Sequence, residues 1–228
     1  MSAARIDPRG DPTMGETAPT RTGRSQARGR QRRAELLTAA RQLLAEHEID
    51  EVSLHDLARA AGIPTGSAYH FYANAMDAFA ALAEQISAEL EQVLAAPLPP
   101  GSAADWEDVL AELAGRAVAF YRERPDAQQL LLGVKTPPEF KLRDRENDRQ
   151  LGLLVRGHIA AAFELPALPQ DEELYFHAVE IIDLFYVLSV VRHGEITDAM
   201  AAEALRAAVA YLRTYLPAVL PAREAATG

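Results

Sequence analysis

Between Ala61 and Leu82 the chain reads AGIPTGSAYHFYANAMDAFAAL, and this stretch limits the possible folds more than any other. Just before it, Ser53 and Asp56 fit a capping box, a hydroxyl closing the first helical turn while a carboxylate reaches back. Leu54, Leu57, Ala58 and Ala61 face inward at helical spacing, and Gly62 stops that helix. Pro64 can open the next, where its missing N–H would be unpaired in any case, giving a short helix over about 65–71. A further helix runs from near Asn74 to about Ala95. A core does not need so many hydroxyls and rings beside a turn, whereas a surface that touches something polar does.

The surrounding pattern is helical throughout. Leu36, Leu37, Ala40, Leu43 and Leu44 form one apolar stripe over about 31–47. Beyond the break APLPPG, with Ser102 and Asp105 as a second capping signature, helices are expected over about 103–124, 126–132, 137–164, 171–193 and 198–215, the last capped by Thr197. In the 137–164 helix, KLRDRENDR is charged all round and should be solvated. No hairpin dipeptide and no alternating run occurs, so the fold class is all-α with about nine helices and no sheet.

Charge is unevenly spread. The total is −10, yet residues 1–33 hold eight arginines against three acids. Residues 1–29 are rich in Pro, Gly, Thr, Ser and Arg and are expected to be a disordered arm. The domains follow as 30–75, 76–220 and a flexible tail at 221–228. There is no cysteine, no secretory leader pattern and no evident membrane span, so a cytoplasmic protein without membrane contact is expected.

Two short helices about a glycine-containing turn are the layout of a helix-turn-helix, whose second helix presents its first residues to base edges in the major groove. Thr65, Gly66 and Ser67 are small and hydrogen-bonding, and Tyr69 and His70 follow one turn on. Residues 33–79, with LLTAARQLLAEH, SLHDLARAAG and IPTGSAYHFY, resemble the DNA-binding domain of the TetR family of transcriptional regulators. The resemblance implies a three-helix DNA-binding domain joined by a long fourth helix to a helical ligand-binding and dimerisation domain. It implies that Ser53, Thr65, Ser67, Tyr69 and His70 contact DNA. Where that family carries lysine at the start of the fourth helix, this chain has Ala75, with Asn74 beside it. The arginines of the arm, among them Arg28, Arg30, Arg32 and Arg33, are expected to supply the missing positive charge to a double-stranded operator.

The eighth and ninth predicted helices carry the remaining expectations. LYFHAVEIIDLFYVLSVV is apolar on nearly every face and should be buried all round. With Ala201, Leu205, Ala208, Leu212 and Tyr215 it suits a four-helix interface between two copies, hence a homodimer. His177 and Glu180, three apart, could pair; with Arg156, His158, Phe120 and Tyr121 they could line a pocket for a hydrophobic or aromatic effector. No Glu-x-x-His pair, phosphate loop or nucleophile elbow occurs, so neither enzyme chemistry, cofactor nor metal is expected. The expected function is a ligand-responsive repressor, with a scaffold or ligand-binding protein that does not read DNA as the alternative.

Overall fold

The computed structural model describes residues 21–99, 101–168 and 171–223, and every regular element in them is helical apart from one isolated bridge between Phe163 and Ala222. In order these are α1 (Arg21–Leu44), α2 (Leu54–Ala60), α3 (Thr65–Ala68), α4 (Ala75–Ala95), α5 (Trp106–Arg122), α6 (Pro125–Ala127), α7 (Pro138–Ala162), α8 (Asp171–His193) and α9 (Asp198–Leu212). After α6 the chain continues directly into a π-helical turn, Gln128–Leu132.

The three-helix unit forms as its local signals dictate. Ser53 accepts from the Asp56 N–H while the Asp56 carboxylate accepts from the Ser53 N–H, so both halves of the capping box are present. Gly62 takes φ +65°, a left-handed conformation that glycine adopts without a steric penalty. Leu36, Leu37, Leu44, Leu57, Ala68, Tyr72 and Phe79 are buried in a core continuous with that of the larger domain. α4 begins where Asn74 accepts from the Asp77 N–H. Phe79 and Leu82 bury one end of α4, and Leu90 and Leu94 bury the other.

In the larger domain α8 lies between α7 and α9. α7 approaches α8 so closely at Gly152 that a Cβ there would lie 2.6 Å from the Phe176 nitrogen. Arg145 pairs with Glu180, Arg149 with Glu173 and Arg156 with Asp171, and the Arg149 guanidinium stacks on Phe176. These pairs stitch α7 to α8 along both the charged and the apolar half of α7.

Several expectations differ from the structure. α1 starts at Arg21, about ten residues early, so residues 21–29 are helical; residues 1–20 lie outside the described residues. α3 spans only four residues before the chain turns. The cap of α5 is Asp105, which accepts from Glu107 and Asp108, rather than Ser102. The charged half of α7 is not simply solvated, because its arginines find acids across the helix pair and Asp148 is buried. The last segment is anchored at its start, where Arg223 donates to the Ala162 carbonyl; residues 224–228 lie outside the described residues. Finally, α8 is long and apolar enough, by length and composition, to cross a membrane, yet only 33% of its most apolar 18-residue window is buried within the chain. The outward residues His177, Leu184 and Val191 recur every seven positions.

Candidate nucleic-acid interface and cavity

α3 is one turn long, and its neighbours decide what it exposes. Ala68 packs inward and Tyr72 closes the core behind it, so Gly66, Tyr69 and His70 face solvent, with Thr65 and Ser67 half-buried. Tyr69 is 57% exposed, unusual for so large a ring and favourable for a partner. The Ser53 hydroxyl is occupied by its cap, bonding Asp56. Asn74 commits its side-chain carbonyl oxygen to the Asp77 N–H, leaving its amide group outward.

Arg28, Arg30 and Arg32 lie exposed on the early turns of α1. They stand beside the tip, because α1 passes the end of α3 at Gly29, where a Cβ would sit 3.9 Å from the Phe71 ring. Arg33 is partly committed: its Nε donates to the Tyr72 hydroxyl at 3.0 Å and its guanidinium lies over that ring. At helical spacing Arg28 and Arg32 share one face of α1 and Arg30 projects from the other, so the approach at Gly29 brings positive charge near the neutral hydroxyls and rings of the tip. That arrangement suits a polyanion whose edges carry donors and acceptors.

The six residues expected to line a pocket do not converge. Tyr121 lines a cavity of about 50 Å³ between α4, α5, α7 and α8. Phe120 is buried beside it under the Arg124 guanidinium. Arg156 is held by Asp171, and the His158 Nε2 bonds the Leu94 carbonyl at 2.8 Å. His177 and Glu180 do not pair with each other: His177 bonds the Tyr211 hydroxyl and is exposed, while Glu180 pairs with Arg145. They are neighbours on α8, yet each is drawn to a partner on a different helix, His177 to α9 and Glu180 to α7.

The cavity is walled instead by Leu90 and Leu94 of α4, Leu110, Leu113 and Ala114 of α5, Leu151 and Val155 of α7, and Ile182 and Tyr186 of α8. Asp148 and Asp183 bring carboxyls to this lining. The Tyr186 hydroxyl donates to the Ala114 carbonyl, and burial pushes its pKa up.

A second feature had no sequence signal, a polar junction between the two domains. Arg41 of α1 meets Glu89 of α4 and Asp126 of α6, each at 3.0 Å, and Arg124 contacts the same two acids. Asp126 is only 3% exposed; burial pushes its carboxyl above the usual range, a shift that Arg41 partly opposes. Gln129 caps the end of α1, donating to the carbonyls of Leu44 and His47 and accepting from the Ile49 N–H. Lys135 reaches Asp50 at 2.9 Å. The partners of Gln129 and Lys135 lie 80 to 85 residues away in sequence, beyond the reach of any periodicity.

Residues 36–81 match the family described as bacterial regulatory proteins, tetR family. No curated protein matches the chain. Among solved structures, a TetR-family transcriptional regulator from Streptomyces coelicolor is similar, with a TM-score of 0.64 and 22% identity over 81% of this chain and 99% of that one. A TetR transcriptional regulator from Rhodococcus sp. RHA1 gives 0.59 and 20% identity over 80% and 96%. The flavonoid-responsive regulator FrrA gives 0.51 and 18% identity over 83% and 99%. At these identities the structures speak for the fold.

Proposed function

Through residues 36–81 this chain belongs to the tetR family of bacterial regulatory proteins, and from that premise we propose that it is a ligand-responsive repressor of transcription. It binds a palindromic operator as a homodimer and is released by a small-molecule effector. It is cytoplasmic, carries no cofactor and performs no chemistry. The observation that carries this reading is the exposed Thr65–His70 tip, set on a buried scaffold beside Arg28, Arg30 and Arg32.

One tip of four helical residues makes few contacts, and useful affinity needs two half-sites roughly 34–36 Å apart. The outward seam of α8 supports pairing. His177, Leu184 and Val191 recur at the heptad interval of packed helices, and Leu184 and Val191 are large apolar side chains left exposed. Two copies meeting through α8 and α9 would cover them.

The cavity supports release. At about 50 Å³ it is well below the several hundred Å³ of a ligand site, so an effector must push a wall aside. The α7–α8 crossing is close-packed at Gly152, which leaves α4 and α5 as the walls that can move, and α4 is the one that runs to the tip. α4 carries Leu90 and Leu94 at the cavity and Asn74 beside the tip, so the same rigid rod is felt at both ends. An effector shifts the balance only by its difference in affinity between the two states. That FrrA is described as flavonoid-responsive supports a small-molecule effector for this fold.

The test is a gel shift with the full chain against the DNA upstream of its own gene. A retarded band that competes with itself but not with unrelated DNA is expected. Replacing Arg28, Arg30 and Arg32 by alanine should weaken binding and lower the salt slope by about 0.9 for each phosphate no longer neutralised. Absence of a specific band would favour the scaffold reading.

A further inference from the structure

We propose that Arg33 and Tyr72 form a preset clamp for one phosphate of the DNA backbone. Arg33 makes the contact, and Tyr72 is the positioning residue that holds it ready. This rests on reading the Thr65–His70 tip as a DNA-binding surface and names a phosphate site that serves it.

The segment from Ser53 to Phe79 has no free cation of its own apart from histidine. Its one arginine, Arg59, is held by Asp56 at 2.7 Å, and it contains no lysine. The start of α4 is neutral at Asn74, Ala75 and Met76 and acidic at Asp77. Binding to a polyanion draws on Lys and Arg, so the charge must come from α1. Arg41 is engaged at the domain junction. Arg28, Arg30 and Arg32 are exposed and make no hydrogen bond or ion pair among the described residues, so each must lose its rotamer freedom on contact.

Arg33 is ordered in advance. Gly29 and Arg33 lie four apart and share the face of α1 that meets the turn after α3, Gly29 at Phe71 and Arg33 at Tyr72. Tyr72 is 4% exposed, so the core fixes its ring. Its hydroxyl accepts from the Arg33 Nε at 3.0 Å, and the guanidinium carbon lies 5.2 Å from the ring centroid. One hydrogen bond and one stacking contact therefore set both the position and the plane of the guanidinium. Arg33 is itself exposed, and its Nη1 and Nη2 have no partner among the described residues. Two parallel N–H donors on a planar fork match two oxygens of one phosphate. The side chain is ordered on folding rather than on contact, which is what favours it over its neighbours on α1.

The test titrates the full-length protein with the DNA upstream of its own gene at several ionic strengths, with a melting profile for every variant. Arg33→Ala should weaken specific binding about tenfold at low salt and lower the salt slope by about 0.9. Tyr72→Phe keeps the ring and every charge, so the slope should stay while affinity falls about threefold. Added to Arg33→Ala, Tyr72→Phe should cause no further loss, because it acts only through Arg33. Arg33→Lys keeps the charge without the fork and should fall between wild type and Arg33→Ala; it carries the comparison if Arg33→Ala fails to fold. Neutral methylphosphonates placed singly along the protected DNA read the contact directly. One position in each half-site should weaken the wild type and leave the folded Arg33 variant much less affected. Unchanged affinity and slope in Arg33→Ala, the same loss from Tyr72→Phe with and without Arg33, or no phosphate whose neutralisation depends on Arg33 would overturn the clamp and leave the tip as a DNA-binding surface. No specific binding by the wild type would overturn both.

Discussion

The two ends of α4 occupy very different neighbourhoods. At Asn74 the surroundings come from residues close in sequence: the Ser53 cap, the Gly62 stop, the Pro64 start and the rings at 69–72. At Leu90 and Leu94 they come from α5, α7 and α8, whose contributing residues lie as far along as Tyr186. The first end is a surface assembled by local rules, and its exposed groups are set by which of its few positions must face the core. The second is a space left between long helices, and its chemistry depends on register across tens of residues. A candidate binding surface can therefore be local while the cavity proposed to control it is not, and the junction at Arg41, Glu89, Asp126 and Gln129 lies between the two.

That junction offers the largest way to break the comparison. Asp126→Ala leaves Arg41 and Arg124 facing each other's charge with only Glu89 between them. Because the arginines are partly solvated, a loss of about 2–4 kcal/mol in chemical denaturation is expected, towards the lower part of the range for broken buried pairs. If the two regions communicate through this junction, DNA affinity should also lose its response to effector. Gln129→Ala is the next largest. It strips partners from the Ile49 N–H and from the Leu44 and His47 carbonyls, and a loss of about 1–3 kcal/mol follows from groups left without them. A small domain that melted at its normal temperature in this variant would mean that it stands independently of the larger one.

Much of the fold was legible because it is written locally. Capping residues, breakers and apolar stripes placed most of the helices, α1 excepted, whose start the composition of residues 21–29 concealed. Gly and Arg there read as unstructured, yet the stretch extends a helix that Leu36 and Leu37 anchor in the core. The tip was legible for a simple reason: four helical residues leave little freedom about which side chains point out. The pocket was not. His177 and Glu180 drew attention as polar groups on an apolar helix, but partners on two other helices take them, Tyr211 the one and Arg145 the other. The acids that do reach the cavity are Asp148, from the run expected to be solvated, and Asp183 of α8. Only the relative rotation of α7 and α8 turns them inward, and no single-helix pattern encodes that rotation.

A smaller change sharpens the DNA end alone. Ala75 opens α4 half-buried, beside the Asn74 cap, where a helix N-terminus already favours a phosphate. Ala75→Lys should add one charged group there. We expect operator affinity to rise by about tenfold at low salt and the salt slope to steepen by about 0.9, measured by titration at several ionic strengths. Effector response should be untouched, since the cavity lies at the other end of the helix.

The smallest expected effect separates stability from DNA recognition at Ser53. Its hydroxyl closes α2, so Ser53→Ala should cost about 1 kcal/mol, read as a shift in denaturation midpoint without change of slope. Ser53 also holds the Asp56 carboxyl below its usual range, first through its side-chain hydrogen bond and then through its N–H. A depressed carboxylate stabilises the fold above its unfolded pKa and loses that contribution as pH falls through the folded value. In the variant this acid-side loss should shrink, so the wild-type and Ser53→Ala stabilities should converge as the pH is lowered below about 4. Ser53→Thr retains the hydroxyl and should keep both the cap and the acid limb. If Ser53→Thr nevertheless weakened operator binding as strongly as Ser53→Ala does, with stability unchanged, the position would serve DNA directly, and the tip would extend from α3 back to the start of α2.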